Sequence, residues 1–409
     1  MTFDSDIILQ ICTSSISLIA SSIIMIMIAV SSKKFSTPYR RIIFGLSAGD
    51  AFQSLAFLTG PFFVPVGTRS SKWAIGNIGT CNFNGFILVY GSSMVCFYML
   101  MLSLYFYFKI VKNIPMDKFY NRIERTGHIL IHSFLLVFCI TALVMKLYNS
   151  YRGGLCYFAR YPRNCWSQPE TVGECTRGEY GFETSFLLHI STMILCCITI
   201  FVVMILLCVF AVKTEKLLSM TVVVNDDNET NNNMCRISCC NCNGLHQRQN
   251  ETDFQYRLRM WRREVIKQAT LYVANFLIIY PVVGIGLILI SIDDKENDVI
   301  FLVETILYQG LFPLMGLFNM IIYTRPKVKI FRRTHPEFSW LRSFALVVKA
   351  GGEVPDENEN RRSANNNEDG FSDLSSNAQV ARSTSLSGPS RISNFITSIV
   401  IRNNNSDSQ

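Results

Sequence analysis

Few side chains in this chain are placed to do chemistry. It has only five histidines. His128 and His132 stand four apart, which puts both on one face of a helix. A zinc hydrolase needs three ligands at one point and an open position for water. His189 falls near the far end of the next apolar segment, while His246 lies in a polar loop and His335 beyond the last apolar segment. Three histidines therefore cannot meet at one metal. The fourteen cysteines offer more. Cys81, Cys156, Cys165 and Cys175 lie outside the apolar segments, and four cysteines allow three pairings. Cys235, Cys239, Cys240 and Cys242 follow an Asn-rich run. Their spacing is irregular for zinc even with His246 nearby, and palmitoylated or free thiols are the other readings. Cys12, Cys96, Cys139, Cys196, Cys197 and Cys208 sit within apolar runs and suit packing. Asp50 and Glu304 also stand inside apolar runs, where an ionisable group is costly and usually functional. Asp50 needs water, a cation or donors from neighbouring helices; Glu304 either meets a ligand or reaches water at the interface. No phosphate-binding loop, nucleophile elbow or kinase signature appears. The residues imply no catalytic site, no resident metal and no cofactor.

The elements that must position these residues are seven long apolar segments, 7–30, 42–65, 83–108, 128–147, 184–212, 268–291 and 299–323. About 20 apolar residues span a bilayer as a helix, because lipid offers the backbone no other hydrogen-bond partner. Only 17% of residues are charged, and the mean hydropathy is positive. Those values exclude an ordinary soluble domain and predict an all-α membrane protein, a seven-helix bundle. Segment 299–323 has no lysine, so it cannot hold retinal as a Schiff base in the manner of seven-helix rhodopsins.

Loop charge sets the orientation. Met1–Asp6 has two acids and no base. Lys33, Lys34, Arg40 and Arg41 fill the first loop, and Lys109, Lys112, Lys118, Arg122 and Arg125 the third. Arg257, Arg259, Arg262, Arg263 and Lys267 lead into the sixth segment, and Arg325, Lys327, Lys329, Arg332 and Arg333 follow the seventh. All share one face if the N-terminus is outside and the C-terminus cytoplasmic. The loop after segment four carries Arg152, Arg160, Arg163 and Arg177 on the other face, but it is long and its central charges weigh less. Segment one has no basic leader and is too long for a cleaved signal, so it reads as an anchor. The organisation expected is an outer N-terminus at 1–6, a membrane domain at 7–333 with a long cytoplasmic loop at 213–262, and a tail at 334–409. The formal charge of +8 suits loops facing anionic lipid and calls for no nucleic acid. Residues 324–345 read as a short interfacial helix bounded by Pro326 and Pro336. From about Ala350 the tail cannot build a core. Ser383, Thr384, Ser385 and Ser387 make a phosphorylation cluster there, Ser383 and Ser385 being the leading candidates.

Several motifs occur in order along these segments. Segment two holds Leu46-x-x-x-Asp50. Segment three opens on Cys81-Asn-Phe-Asn-Gly85-Phe86 and ends on Leu102-Ser103-Leu104-Tyr105-Phe106-Tyr107. The second outer loop reads Cys156-Tyr-Phe-Ala159, Pro162-x-x-Cys165 and Cys175-Thr-Arg-Gly178. Segment six carries Gln268, Tyr272, Phe276, Tyr280 and Pro281. Segment seven ends on Pro313-Leu-Met-Gly316, Asn319, Tyr323 and Arg325-Pro326. Together these resemble the G-protein-coupled receptors, in the cyclic-AMP-receptor-like and secretin-like branch common in diatoms and other microbial eukaryotes. The likeness covers 7 to about 333. Three residues depart from that pattern: Met315 stands for a Gln, and Tyr280 and Tyr157 each for a Trp.

The resemblance implies a plasma-membrane receptor that passes an extracellular ligand signal to a heterotrimeric G protein, with adenylate cyclase downstream. The residues show no phosphate pocket for cyclic AMP itself. It implies Cys81 paired with Cys156, leaving Cys165 for Cys175. Asp50, Tyr105, Tyr107, Tyr272, Pro281, Asn319 and Tyr323 become the switch and packing residues. Glu304 is the ligand candidate; Arg259, Arg262, Arg263 and Lys267 are the G-protein contacts. Membrane lipid is the other partner. The alternative is a polytopic transporter or channel. That would want a polar line through the bundle or inverted repeats, and neither appears.

Overall fold

A computed structural model of the chain describes residues 3–32, 34–68, 72–112, 119–151, 154–162, 165, 170, 173–178, 182–231, 263–281, 284 and 305–352. The helices are α1 (Phe3–Val30), α2 (Pro38–Phe63), α3 (Ile78–Ile110), α4 (Arg125–Val144), α5 (Phe182–Asn231), α6 (263–281), α7 (Met315–Thr334) and α8 (Trp340–Lys349). A π turn, Tyr120–Glu124, leads into α4. A second π turn, Thr305–Leu311, and a 3₁₀ turn, Phe312–Leu314, lead into α7. Strands β1 (Tyr148–Tyr151) and β2 (Leu155–Phe158) form one antiparallel hairpin, with Tyr148 opposite Phe158.

Six helices among the described residues are long and apolar enough to cross a membrane: Asp6–Val30, Pro38–Phe63, Ile78–Ile110, Arg122–Val144, Ser185–Phe210 and Ile306–Thr334. The chain is an all-α membrane protein with one short hairpin. The expected sixth span, 268–291, runs past the described part of α6.

Side-chain placement follows from lipid as the solvent. On α1 the buried face carries Gln10, Ser14, Ser17 and Ser21 at spacings of three and four before Ile24, Met27 and Ile28 take it over, while Ile8, Ile16, Ile19 and Ile26 are exposed. On α5, Leu195, Ile198, Phe201 and Val202 are likewise exposed. In water such a surface would aggregate; against lipid tails it is at rest. Polar groups turn inward because only other helices can satisfy them. Gln10 Nε2 donates to the Phe57 carbonyl on α2 at 2.7 Å, and Thr13 Oγ1 to the Gln309 carbonyl at 3.0 Å. Small residues let backbones approach. A Cβ on Gly91 of α3 would lie 2.7 Å from the Gln53 backbone nitrogen and 3.0 Å from the Gly49 carbonyl on α2.

Several boundaries differ from expectation. The helix begins at Phe3, so residues 3–6 are its first turn, while the part apolar enough to cross the membrane starts at Asp6, which is buried. Residues 213–231 continue α5 as helix where a loop was expected; Lys213, Glu215, Lys216, Leu217 and Leu218 are good helix formers. Pro326 does not start a separate interfacial helix. It lies inside α7, which runs on to Thr334. A helical proline costs about 3 kcal/mol, here opposed by burial of Tyr323, Val328 and Phe331. The helix break falls near Pro336. Beyond it α8 starts on Ser339, whose Oγ accepts from Arg342 N. Ser343 and Val347 of α8 are buried, while Trp340 and Leu341 are exposed.

Candidate functional site

At the hairpin end, loop and bundle are stitched together. Cys81 at the start of α3 is joined to Cys156 of β2, with Cα atoms 5.4 Å apart. Cys165 is joined to Cys175, with Cα atoms 5.1 Å apart. This is the pairing that the resemblance implies. Asn84 of α3 lies between, giving Nδ2 to the Ala56 carbonyl at 2.8 Å and accepting from Cys156 N at 3.3 Å. Arg177 clamps the loop from above, donating to Asn149 Oδ1 at 2.7 Å and to Asn82 Oδ1 at 2.9 Å. Gly178 follows at φ +67°, and a Cβ there would press on the Ala159 carbonyl at 2.5 Å. Glycine alone fits that turn without strain. Below the hairpin, the Tyr157 hydroxyl meets His189 Nδ1 at 2.7 Å and Ser93 Oγ meets Nε2 at 3.1 Å. Those contacts join β2, α3 and α5.

Midway down, Asp50 and Asn319 meet. Asn319 Nδ2 donates to Asp50 Oδ2 at 2.7 Å, and both residues are buried. Asp50 Oδ1 and Asn319 Oδ1 have no hydrogen-bond partner among the described residues. Nearby, Gln53 Nε2 donates to the Phe312 carbonyl at 3.3 Å, at the 3₁₀ turn above α7. The Tyr280 hydroxyl of α6 reaches the Ser92 carbonyl at 3.2 Å and Gln53 Oε1 at 3.5 Å. The Tyr280 ring stacks on Phe276 with centroids 4.2 Å apart and meets Phe312 edge-on. Met315 is fully buried. Gln53 thus supplies, from α2, a polar contact of the kind that Met315 cannot make from α7.

The opposite end is closed by aromatic rings. Tyr39 at the start of α2 lies 6.0 Å from Tyr105 and 6.3 Å from Tyr323 by ring centroid, and its hydroxyl accepts from Gln268 of α6 at 2.8 Å. Tyr272 is buried beside them. The Tyr105 hydroxyl accepts from Lys109 Nζ at 3.0 Å. Glu264 and Lys329 pair at 2.5 Å, linking α6 to α7 at the surface. The Lys329 ammonium holds the Glu264 carboxyl below its ordinary range. Arg41 grips Glu124 through Nε at 2.5 Å and Nη2 at 2.9 Å, tying α2 to the start of α4.

The structure therefore brings together Asp50 with Asn319, and Tyr105 with Tyr323 around Tyr39. Tyr107 packs instead on Phe108, with centroids 5.5 Å apart. Pro281 closes the described run of α6. Arg263 and Lys267 are exposed at the start of α6. Glu304, Arg259, Arg262, Ser383, Ser385 and the loop cysteines Cys235, Cys239, Cys240 and Cys242 lie outside the described residues. No cluster of three metal-ligating side chains occurs among the described residues. Sequence reasoning missed Gln53, Tyr39 and the Arg41–Glu124 pair. Arg41 counts only as a topology charge until its partner is seen, and Glu124 hides between Arg122 and Arg125. No protein-family model matches the chain, and no curated protein matches it.

Proposed function

We propose that this chain is a G-protein-coupled receptor of the plasma membrane, with seven spans, its N-terminus outside and its C-terminus cytoplasmic. A ligand at the hairpin end selects one helix arrangement, and a heterotrimeric G protein reads it at the Tyr39 end. A ligand that binds two arrangements unequally shifts a pre-existing equilibrium. The observation that carries the reading is how α6 is held. Its described contacts with α2, α3 and α7 include single polar ones at separate heights: Gln268 to Tyr39, Tyr280 to Ser92 and Gln53, and Glu264 to Lys329. Each is worth about 1 kcal/mol net or less, so a ligand's differential binding suffices to exchange them. The Cys81–Cys156 tether holds the hairpin against α3, where a bound ligand would press. The basic face from Arg259 to Lys267 is the G-protein contact in this reading, and the loop-charge asymmetry supports the orientation.

The test is guanine-nucleotide exchange on purified heterotrimeric G proteins, with the full chain in lipid nanodiscs, beside ion flux in proteoliposomes. Receptor-dependent exchange without flux is expected. Flux without exchange across all G-protein classes overturns the reading in favour of a channel or transporter.

A further inference from the structure

We propose that Tyr90, His132, Tyr98 and His128 form a proton relay between α3 and α4 that binds one proton and stores it as the His128 imidazolium against Glu124. The inference goes beyond the receptor reading and does not rest on it.

The geometry is a continuous row of contacts. The Tyr90 hydroxyl lies 2.7 Å from His132 Nδ1. His132 Nε2 lies 3.1 Å from the Tyr98 hydroxyl, which lies 2.7 Å from His128 Nδ1. His128 Nε2 ends the row 3.6 Å from Glu124 Oε1. The site is built around Tyr98. A Cβ on Gly45 of α2 would clash with the Tyr98 ring edge, lying 2.7 Å from Cδ1 and nearer still to Cε1 and Cζ, so only glycine there leaves room. The titratable and charged groups facing the row, among the described residues, are Arg41 from α2, Tyr105 with Lys109 farther along α3, and Cys139 of α4 beside Tyr90.

The hydrogens can be placed from the contacts alone. A tyrosine has one O–H to give, and a neutral imidazole has one N–H and one lone pair. Tyr98 faces two imidazole nitrogens, so it donates to one and accepts from the other. With His128 neutral, its N–H belongs on Nε2, because a lone pair there would face the Glu124 carboxylate. Tyr98 then donates to His128 Nδ1, His132 Nε2 donates to Tyr98, and Tyr90 donates to His132 Nδ1. Every donor in the row points toward Glu124, and both imidazole lone pairs are covered by tyrosine hydroxyls.

A proton entering the row at Tyr90 reaches His128 by hopping. Tyr98 passes its hydrogen to His128 Nδ1, and His132 Nε2 passes its own to Tyr98. Tyr90 gives its hydrogen to His132 Nδ1, and one proton from hydronium replaces it on Tyr90. The net change is one proton bound. His128 now carries two N–H groups, His132 has exchanged its Nε2–H for Nδ1–H, and all three bonds along the row have reversed. Tyr90 ends with a free O–H. The new imidazolium competes with Arg41 for Glu124 Oε1, so occupancy bears directly on the contact between α2 and α4.

The test is nitrogen-15 NMR of the histidines in the full chain in nanodiscs, titrated with pH, for wild type, Tyr98→Phe and Tyr90→Phe. In the wild type, His128 should gain its proton over the same pH interval in which the His132 Nδ1 and Nε2 signals exchange character. Tyr98→Phe should uncouple the two, leaving His132 to titrate separately. Tyr90→Phe, at the half-buried end of the row, guards against a misfolded Tyr98 variant and should also abolish the His132 exchange. A wild-type His132 whose tautomer is the same above and below the His128 transition overturns the relay. So does coupling that persists in both variants. The readout needs no G protein, so absent nucleotide exchange would bear on the receptor reading alone.

Discussion

Arg41→Ala should be far more damaging than Glu124→Gln, although each breaks the same contact. The asymmetry follows from burial. The Glu124 side chain is 0% exposed and that of Arg41 is 23% exposed. Removing Arg41 strands an ionised carboxylate away from water, with His128 Nε2 the remaining cationic partner among the described residues, at 3.6 Å. Breaking a buried pair in this way costs about 3–5 kcal/mol. At about 2–4 °C per kcal/mol for a chain of a few hundred residues, the melt should fall by roughly 6–20 °C. Glu124→Gln removes the charge-assisted bond and leaves an amide that still accepts from Arg41. The guanidinium keeps the Phe35 carbonyl as an acceptor and is partly open to water, so the loss should be about 1.5–3 kcal/mol. The double variant Arg41→Ala/Glu124→Gln removes the stranded charge and should melt above Arg41→Ala alone. Thermal unfolding of the purified protein in detergent, followed by tryptophan emission, completes the double-mutant cycle. A double variant that falls by the sum of the two singles would refute the reasoning, because the two side chains would then be acting independently.

Asp50→Asn should leave surface delivery nearly unchanged, since the new amide oxygen still accepts from Asn319, while ligand-dependent exchange is altered. Unchanged exchange would count against a switching role. Breaking Cys81–Cys156, 75 residues apart, should cost about 4.5 kcal/mol on the loop-entropy relation, and breaking Cys165–Cys175, 10 apart, about 2.7 kcal/mol; matched Cys→Ser pairs compared by denaturation give the order. Replacing Arg259, Arg262 and Arg263 together by Gln should abolish coupling with surface delivery intact, and full coupling in that variant sinks the partner role. The Glu264–Lys329 contact should persist through neutral pH. A depressed carboxylate pKa contributes above the ordinary carboxylate range and is lost as pH falls through the depressed value. The drop in melting temperature caused by Glu264→Gln should therefore be the same at about pH 6 and about pH 8, both above a carboxylate's ordinary range.

Much of the fold is legible because lipid makes the rule simple. An apolar run of sufficient length has one stable backbone conformation there, so six expected spans recur as helices within a few residues at most ends. Distortions are not legible in the same way. The π turn at Thr305–Leu311 and the 3₁₀ turn at Phe312–Leu314 lie within an apolar run that reads as uninterrupted helix. Only Pro313 hints at the break. Pro326 is the reverse case, a proline that reads as a boundary and is carried inside α7. Proline removes one donor wherever it stands, but whether the helix ends there is decided by what the following turn can bury.

The site is less legible because its contacts join residues far apart in the chain. Arg41 and Glu124 are 83 residues apart, and Tyr98 and His128 are 30. Each alone has a bland reading: Arg41 a loop charge, His128 and His132 metal ligands lacking a third. The physical constraint that resolves them is the membrane itself. Two imidazoles on one face of a spanning helix must find donors and acceptors within the bundle, since lipid supplies none. Once metal is set aside for want of a third ligand, the neighbouring helix has to carry hydroxyls or amides at matching height. Tyr90 and Tyr98 stand eight residues apart on α3, about 12 Å along the axis, and bracket the four-residue step from His128 to His132. That spacing is the signal in the sequence for the row, and the failed metal site is where to look for it.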